Sequence, residues 1–181
     1  MQVTDVETYT LHVPIDGTVG DSRLEITDVY WVVIELGTDV GHTGVGWMGS
    51  LGFAPDLLER FVDSQFADAL VGADPFAHEA IREELRTRTI YYGELGMSAW
   101  PRGAIDVALW DLKAKAAGVP LYRLLGGAES TVPASVLQHG RRHRPGGARG
   151  APRRLRRGGV HRVRDQGRQP NPRGRGLDGL S

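Results

Sequence analysis

Four groups of residues in this 181-residue chain are of types and spacings that can do chemistry. Asp106 and Asp111 offer two carboxylates that could be a metal pair. Five residues along a helix turn about 500°, which leaves them about 140° apart. They do not share a face, and structural roles are expected; Asp111 and Lys115, four apart, form a helical ion pair instead. His139 and His143 have metal-ligand spacing only on a helix, and Gly140 and Pro145 argue against one. His12, His42 and His78 stand apart from any ligand spacing, with His42 solvated on a turn. Gly41-x-x-Gly44-x-Gly46 inverts the order of a dinucleotide loop and has strands on both sides, so it reads as a hairpin with tight glycine turns. No catalytic residue and no metal ligand is assigned from these patterns.

The elements that would position these residues follow from periodicity. Val3–Val13 alternates and reads as a strand. Ile15–Arg23, with two glycines and two aspartates, reads as a loop. Thr27–Leu36 is rich in β-branched and aromatic residues, the composition of a strand. Thr38–Gly41 is a turn and Thr43–Met48 a third strand. Three helices follow, over Asp56–Leu70, Phe76–Arg88 and Ser98–Ala117, separated by Gly72–Pro75 and a loop over Thr89–Gly96. Pro101 falls in the first turn of the third, where proline is tolerated. A helical turn over Leu121–Leu125 closes the series. The fold class is therefore α+β: a three-stranded antiparallel meander followed by a helical bundle.

Composition divides the chain. Residues 1–135 hold nine basic and twenty acidic residues, a net of −11; residues 136–181 hold thirteen arginines and two aspartates, a net of +11. All 13 aromatic residues lie at or before Tyr122. The tail is Arg-, Gly- and Pro-rich with no periodicity and is expected to be disordered. There is no cysteine, which excludes disulfides and thiolate-bound metals. The first residues lack the pattern of a signal peptide, and no apolar run approaches the roughly 20 residues of a membrane helix. A cytoplasmic location without membrane partners is the expectation.

Three motifs, in order, resemble the enolase superfamily, in its mandelate racemase/muconate lactonizing enzyme branch. They are Thr38-Asp39-x-Gly41-x-x-Gly44-x-Gly46, Val71-Gly72-x-Asp74-Pro75, and the run from Ala104-Ile105-Asp106-x-Ala108-Leu109-Trp110-Asp111-Leu112 through Gly126-Gly127. The resemblance implies an N-terminal capping domain over residues 1–127, with residues 128–135 beginning a barrel. It implies racemases or dehydratases (isomerases and lyases) that use Mg²⁺ to remove the proton next to the carboxylate of a hydroxy or sugar acid, and homo-oligomers. It also implies two capping loops, Asp16–Leu24 and Trp47–Phe53, with Val19, Trp47 and Met48 as the substrate-facing side chains. Without a barrel, Ile105, Leu109 and Trp110 are expected to be partly exposed and the chain to self-associate.

The family's barrel pattern does not follow Gly127. Residues 136–181 supply neither a lysine base nor a metal-ligand series, so the chain as written is expected to bind no Mg²⁺ and to be inactive. A reading frame slipped by one base near Ser135 explains the tail. Read one base later, Gly159–Arg168, continued into Gln169, is compatible with Ala-Tyr/Ser-Thr-Ala-Phe-Glu-Ile-Lys-Val-Gly, which resembles the family's lysine-bearing strand. The alternative is a capping domain reused as a nucleic-acid-binding protein through its basic arm. No aromatic is interleaved with the arginines for base stacking, so nonspecific attraction to polyanions is the expectation for the tail.

Overall fold

The computed structural model describes residues 1–20, 25–51, 54–129, 131 and 161–163. β1 (Val3–Gly20), β2 (Glu25–Thr38) and β3 (Thr43–Ser50) form the antiparallel meander. The β2–β3 turn is held by the Gly41 amide on Thr38 O at 3.0 Å. Gly41 has φ +83°, which a side chain would resist. The Thr38 hydroxyl donates to His42 O at 2.8 Å. β1 and β2 run on where a loop is expected over Ile15–Arg23: pairing continues to Gly20↔Glu25 after a register shift between Pro14 and Val19. Asp16, Gly17 and Gly20 lie in an irregular ribbon, because cross-strand pairing to β2 supplies order that local composition does not show; residues 21–23 lie outside the described residues.

The helices are α1 (Pro55–Gln65), α2 (Ala67–Leu70), α3 (His78–Arg88), α4 (Ala99–Ala116) and α5 (Leu121–Leu124). The single helix expected over Asp56–Leu70 is broken at Phe66, whose φ of −123° leaves helical geometry. That ring is fully buried and meets Phe61 edge-on at 5.5 Å. α3 begins two residues later than expected, after the Asp74 carboxylate accepts the Phe76 amide at 3.0 Å. Short 3₁₀ turns, Ile90–Tyr92 and Gly96–Ser98, occupy the expected loop. The start of β1 is tied to the segment after α2 by Val3 N–H to Ala73 O (3.0 Å) and Gly72 N–H to Val3 O (2.8 Å).

One sheet face packs on the helices. Val32, Ile34 and Leu36 of β2 and Met48 of β3 meet Leu58, Val62, Phe66 and Leu70, with Ile81, Leu85, Ile105, Leu109 and Leu112 completing the core. Each such side chain contributes about 1.5–3 kcal/mol when fully buried. Gly44 and Gly46 are not turn glycines but the points where α4 lies on β3. A Cβ on Gly44 would sit 2.3 Å from Ala108 O, and one on Gly46 1.8 Å from Ala104 O. The expectation for α4 is also corrected. Ile105 and Leu109 are 0% and 1% exposed, because the domain's own sheet and helices cover them. Trp110 is partly exposed, as expected, and the more open apolar residues of this region include Trp100, Val107, Val119, Leu124 and Leu125.

β4 (His161–Val163) pairs antiparallel with Thr10–His12, giving the sheet order β3-β2-β1-β4. For these three residues the expectation of a strandless, disordered tail does not hold; the rest of that expectation lies outside the described residues. Among the described residues, no helix is long and apolar enough to cross a membrane.

Candidate functional site

The register makes one end of the sheet project. β3 ends at Ser50, opposite Tyr30, which in turn faces His12. Beyond that line β1 and β2 continue alone as a two-stranded ribbon. Val19 lies on this ribbon, its backbone paired with Ile26. Trp47 and Met48 are neighbours on β3 and so point to opposite faces. Trp47 is 57% exposed on the outer face, its ring edge-on to Trp31 at 4.7 Å. Met48 is 6% exposed and lies in the core cluster, where it packs the domain itself. The three side chains singled out in the sequence therefore do not share one surface. Of the expected loops Asp16–Leu24 and Trp47–Phe53, residues 16–20 and 47–50 are strand; residues 21–24 and 52–53 lie outside the described residues.

At the root of the ribbon a polar cluster forms that the sequence did not reveal. His12 Nε2 donates to Asp28 Oδ1 at 2.6 Å, and the His12 ring stacks on Tyr30 at 4.8 Å. The Thr10 hydroxyl donates to Glu59 of α1. His12 faces Tyr30 and Asp28 faces Pro14, so the pair is a diagonal across β1 and β2. Only the register, not residue spacing along the chain, brings it together.

A second cluster joins α3 to α4. His78, 8% exposed, donates from Nε2 to Asp106 Oδ1 at 2.6 Å. A carboxylate only accepts and an amine nitrogen donates, which fixes the tautomer: Nδ1 is bare and accepts from Lys113 Nζ at 2.8 Å. Lys113 Nζ also lies 3.5 Å from the centre of the Trp110 ring. Burial pushes the Lys113 amine below the ordinary lysine range, while Asp106 and Glu79 pull the other way. Asp106 is thus engaged by His78. Asp111 faces elsewhere, as its spacing from Asp106 requires, and accepts the Val45 amide at 2.9 Å and Lys115 Nζ at 2.7 Å. Lys115 donates as well to Thr43 O at 2.6 Å, so the pair fastens α4 to β3.

Along α3, Arg82 pairs with Glu79, Arg86 with Glu83 and Glu94, and Arg88 with Glu84 and Asp68. Hydrogen bonding to Glu83 and Glu94 raises the Arg86 guanidinium further, and Arg86 in turn lowers the Glu83 carboxyl. A groove of about 390 Å³ between α3 and α4 is lined by Arg82, Arg86, Arg102 and Asp106. Its arginine heads are already engaged, Arg102 by the carbonyls of Ser98 and Glu94. Among the described residues, no three His, Cys, Asp or Glu side chains converge on a point that could hold a metal ion.

Comparison with known proteins places this geometry. A family model for the mandelate racemase/muconate lactonizing enzyme N-terminal domain matches residues 3–126. The 3,6-anhydro-alpha-L-galactonate cycloisomerase of Streptomyces coelicolor is 30% identical over 129 residues, covering 71% of this chain and 36% of that protein. The L-talarate/galactarate dehydratase of Salmonella typhimurium is 30% identical over 138 residues, covering 73% of this chain and 34% of that protein. The crystal structure of the latter, liganded with Mg and L-lyxarohydroxamate, superposes with a TM-score of 0.67 at 29% identity, over 72% of this chain and 35% of that one. The chain thus spans about a third of the length of these relatives.

Proposed function

The chain belongs to the mandelate racemase/muconate lactonizing enzyme family through residues 3–126, and we propose that this domain caps the active site of a Mg²⁺-dependent racemase or dehydratase acting on a hydroxy or sugar acid. The observation that carries the reading is the family match to the whole meander-and-helix unit. Relatives are named for sugar-acid dehydration and cycloisomerisation, and one is crystallised with Mg and a sugar-acid analogue.

In this reading the β1–β2 ribbon and the outer edge of β3 close over the substrate. Trp47 and the ribbon around Val19 are the covering groups; a buried Met48 supports them from below. An apolar cover excludes water and strengthens the electrostatic interactions beneath it. The described residues do not fit a Mg²⁺ site: Asp106 is engaged by His78, Asp111 by Lys115 and the Val45 amide, and Asp28 by His12. In this reading the base and the metal ligands lie in the barrel that the family resemblance implies, outside residues 3–126. Residues 136–181 stand in that place through a frame slip near Ser135, and the 181-residue chain is inactive.

The test is a pair of assays with Mg²⁺ on a panel of acid sugars that includes talarate, galactarate and 3,6-anhydrogalactonate. A frame-restored protein turns over at least one acid and loses that activity in chelator; the 181-residue chain turns over none. Turnover by the 181-residue chain, or none by the restored protein on any hydroxy or sugar acid, overturns the proposal.

A further inference from the structure

The two edges of the meander are closed by different chemistry. A strand edge presents a row of backbone N–H and C=O groups that must find partners. On β3, side chains of α4 supply them: Asp111 Oδ2 accepts the Val45 amide at 2.9 Å, and Lys115 Nζ donates to Thr43 O at 2.6 Å. At the start of β1 the nearby backbone does so, through Val3 N–H to Ala73 O at 3.0 Å and Gly72 N–H to Val3 O at 2.8 Å. The middle of β1 takes a strand from far along the chain. Thr10 pairs with Val163, Leu11 with Arg162 and His12 with His161.

The charges at this stretch are complementary. Glu59 accepts the Thr10 hydroxyl and Asp28 accepts from His12, so two carboxylates stand beside the paired residues. Asp5 and Glu7 lie further along the same strand. Residues 1–135 carry a net −11 and residues 136–181 a net +11; seven of the thirteen arginines of the latter fall within residues 153–168, against one aspartate. The capping role assigned to the ribbon and Trp47 makes no use of this edge.

We propose that the β1 edge at Thr10–His12 is a docking site for extended, arginine-rich peptide strands, and that β4 is its resident ligand, bound in cis. Main-chain pairing supplies affinity that is indifferent to sequence, and the carboxylates around the edge select for cationic strands. Attachment to the same chain gives β4 a high effective concentration, so at micromolar protein it outcompetes the tail of a second copy. Salt weakens the selection, because it screens charges that are not in direct contact. A cationic strand supplied from outside displaces β4 and takes the same backbone groups. The inference concerns the edge of β1 in the 181-residue chain and does not rest on the acid-sugar reading.

The chain has no cysteine, so a cysteine pair reports on the register without background. Leu11→Cys with Arg162→Cys places two thiols directly opposite each other, and Leu11→Cys with Arg173→Cys is the control. Directly opposite strand residues meet the spacing a disulfide needs. In the full 181-residue chain at low salt the first pair is expected to oxidise at least about tenfold faster than the control, within one molecule. Added salt, or an excess of a peptide of residues 156–168, slows it at least about threefold. The same peptide carrying Arg162→Pro and Val163→Pro leaves the rate unchanged. Hydrogen exchange on the cysteine-free chain is the second measurement, with proline placed only in the tail so that the domain itself is unaltered. Of two consecutive strand residues one N–H faces the neighbouring strand, so Arg162→Pro or Val163→Pro removes a ladder donor and speeds exchange of the Thr10–His12 amides. Equal oxidation of the two pairs, covalent dimers as the main product, a rate insensitive to salt and to the peptide, or unchanged exchange in both proline variants would each overturn the proposal.

Discussion

Replacing Gly46 by alanine sets a methyl group against the backbone of α4. The added Cβ would lie 1.8 Å from Ala104 O, 2.8 Å from Ala104 C and 3.0 Å from Ala108 N, where ordinary contact begins at 3.4 Å. The helix must retreat by about 1.6 Å along that line, since the neighbour is rigid backbone and not the end of a side chain. The retreat loosens Ile105, Leu109 and Leu112, which are all fully buried. A radial gap of about 1 Å already forfeits up to about half of each dispersion contact. Overpacking costs about 1–3 kcal/mol, and the upper end applies to a fixed carbonyl. For a domain of this size that is a fall in Tm of about 10 °C. Gly41→Ala is the control: no atom lies within 4 Å, and only the φ of +83° opposes the change, at about 1 kcal/mol. Thermal melts of both variants, followed by far-ultraviolet circular dichroism, separate close approach from turn strain. A Gly46→Ala protein that melts within about 2 °C of wild type, or less destabilised than Gly41→Ala, would refute the packing of α4 on β3.

Removing the acceptor in Asp111→Ala leaves the Val45 amide without its partner and frees Lys115, and a loss of about 1–3 kcal/mol in urea unfolding is expected. Trp47→Ala loses the edge contact to Trp31, about 0.5–1.5 kcal/mol in a melt, and is expected to lower kcat/KM in the frame-restored protein. Burial lowers the Lys113 amine in the folded state, so between that value and the ordinary lysine value the unfolded chain binds more protons; stability relative to Lys113→Met rises with pH across this window, read by unfolding at stepped alkaline pH. The thirteen arginines of residues 136–181 are expected to bind heparin, RNA and DNA alike, with affinity that falls steeply with salt in filter or fluorescence titrations; selectivity for one nucleic acid would favour a dedicated binding arm.

The parts of the fold legible in the sequence are those set by local pattern. Thr27–Leu36 announces β2 by its β-branched residues, and Leu58, Val62, Phe66 and Leu70 by their three- and four-residue spacing mark a face that the core buries. What was not legible depends on contacts between distant residues. The ribbon beyond Pro14 is held by pairing to residues 25–28, so its glycines and aspartates read as a loop. Gly44 and Gly46 read as turn residues because nothing in a strand's own sequence shows that a helix some 60 residues later will lie on it. His12 and His78 read as isolated, yet find Asp28 and Asp106 at separations of 16 and 28 residues. Of the candidate covering groups, Trp47 and Met48 were legible as strand residues, but which one faced outward was fixed by the side of the sheet that α4 covers.

The nucleotide sequence across codons 133–137 and onward tests the central claim most directly, because it decides whether a catalytic barrel is encoded behind this cap. The expected result is that shifting the frame by one base near Ser135 opens an uninterrupted reading frame that passes through Glu-Ile-Lys-Val-Gly at the position of Gly159–Gln169 and continues as barrel sequence with acidic metal ligands. Stop codons in the shifted frame, or an open frame with no such continuation, would contradict it and leave residues 136–181 as the genuine partner of the cap.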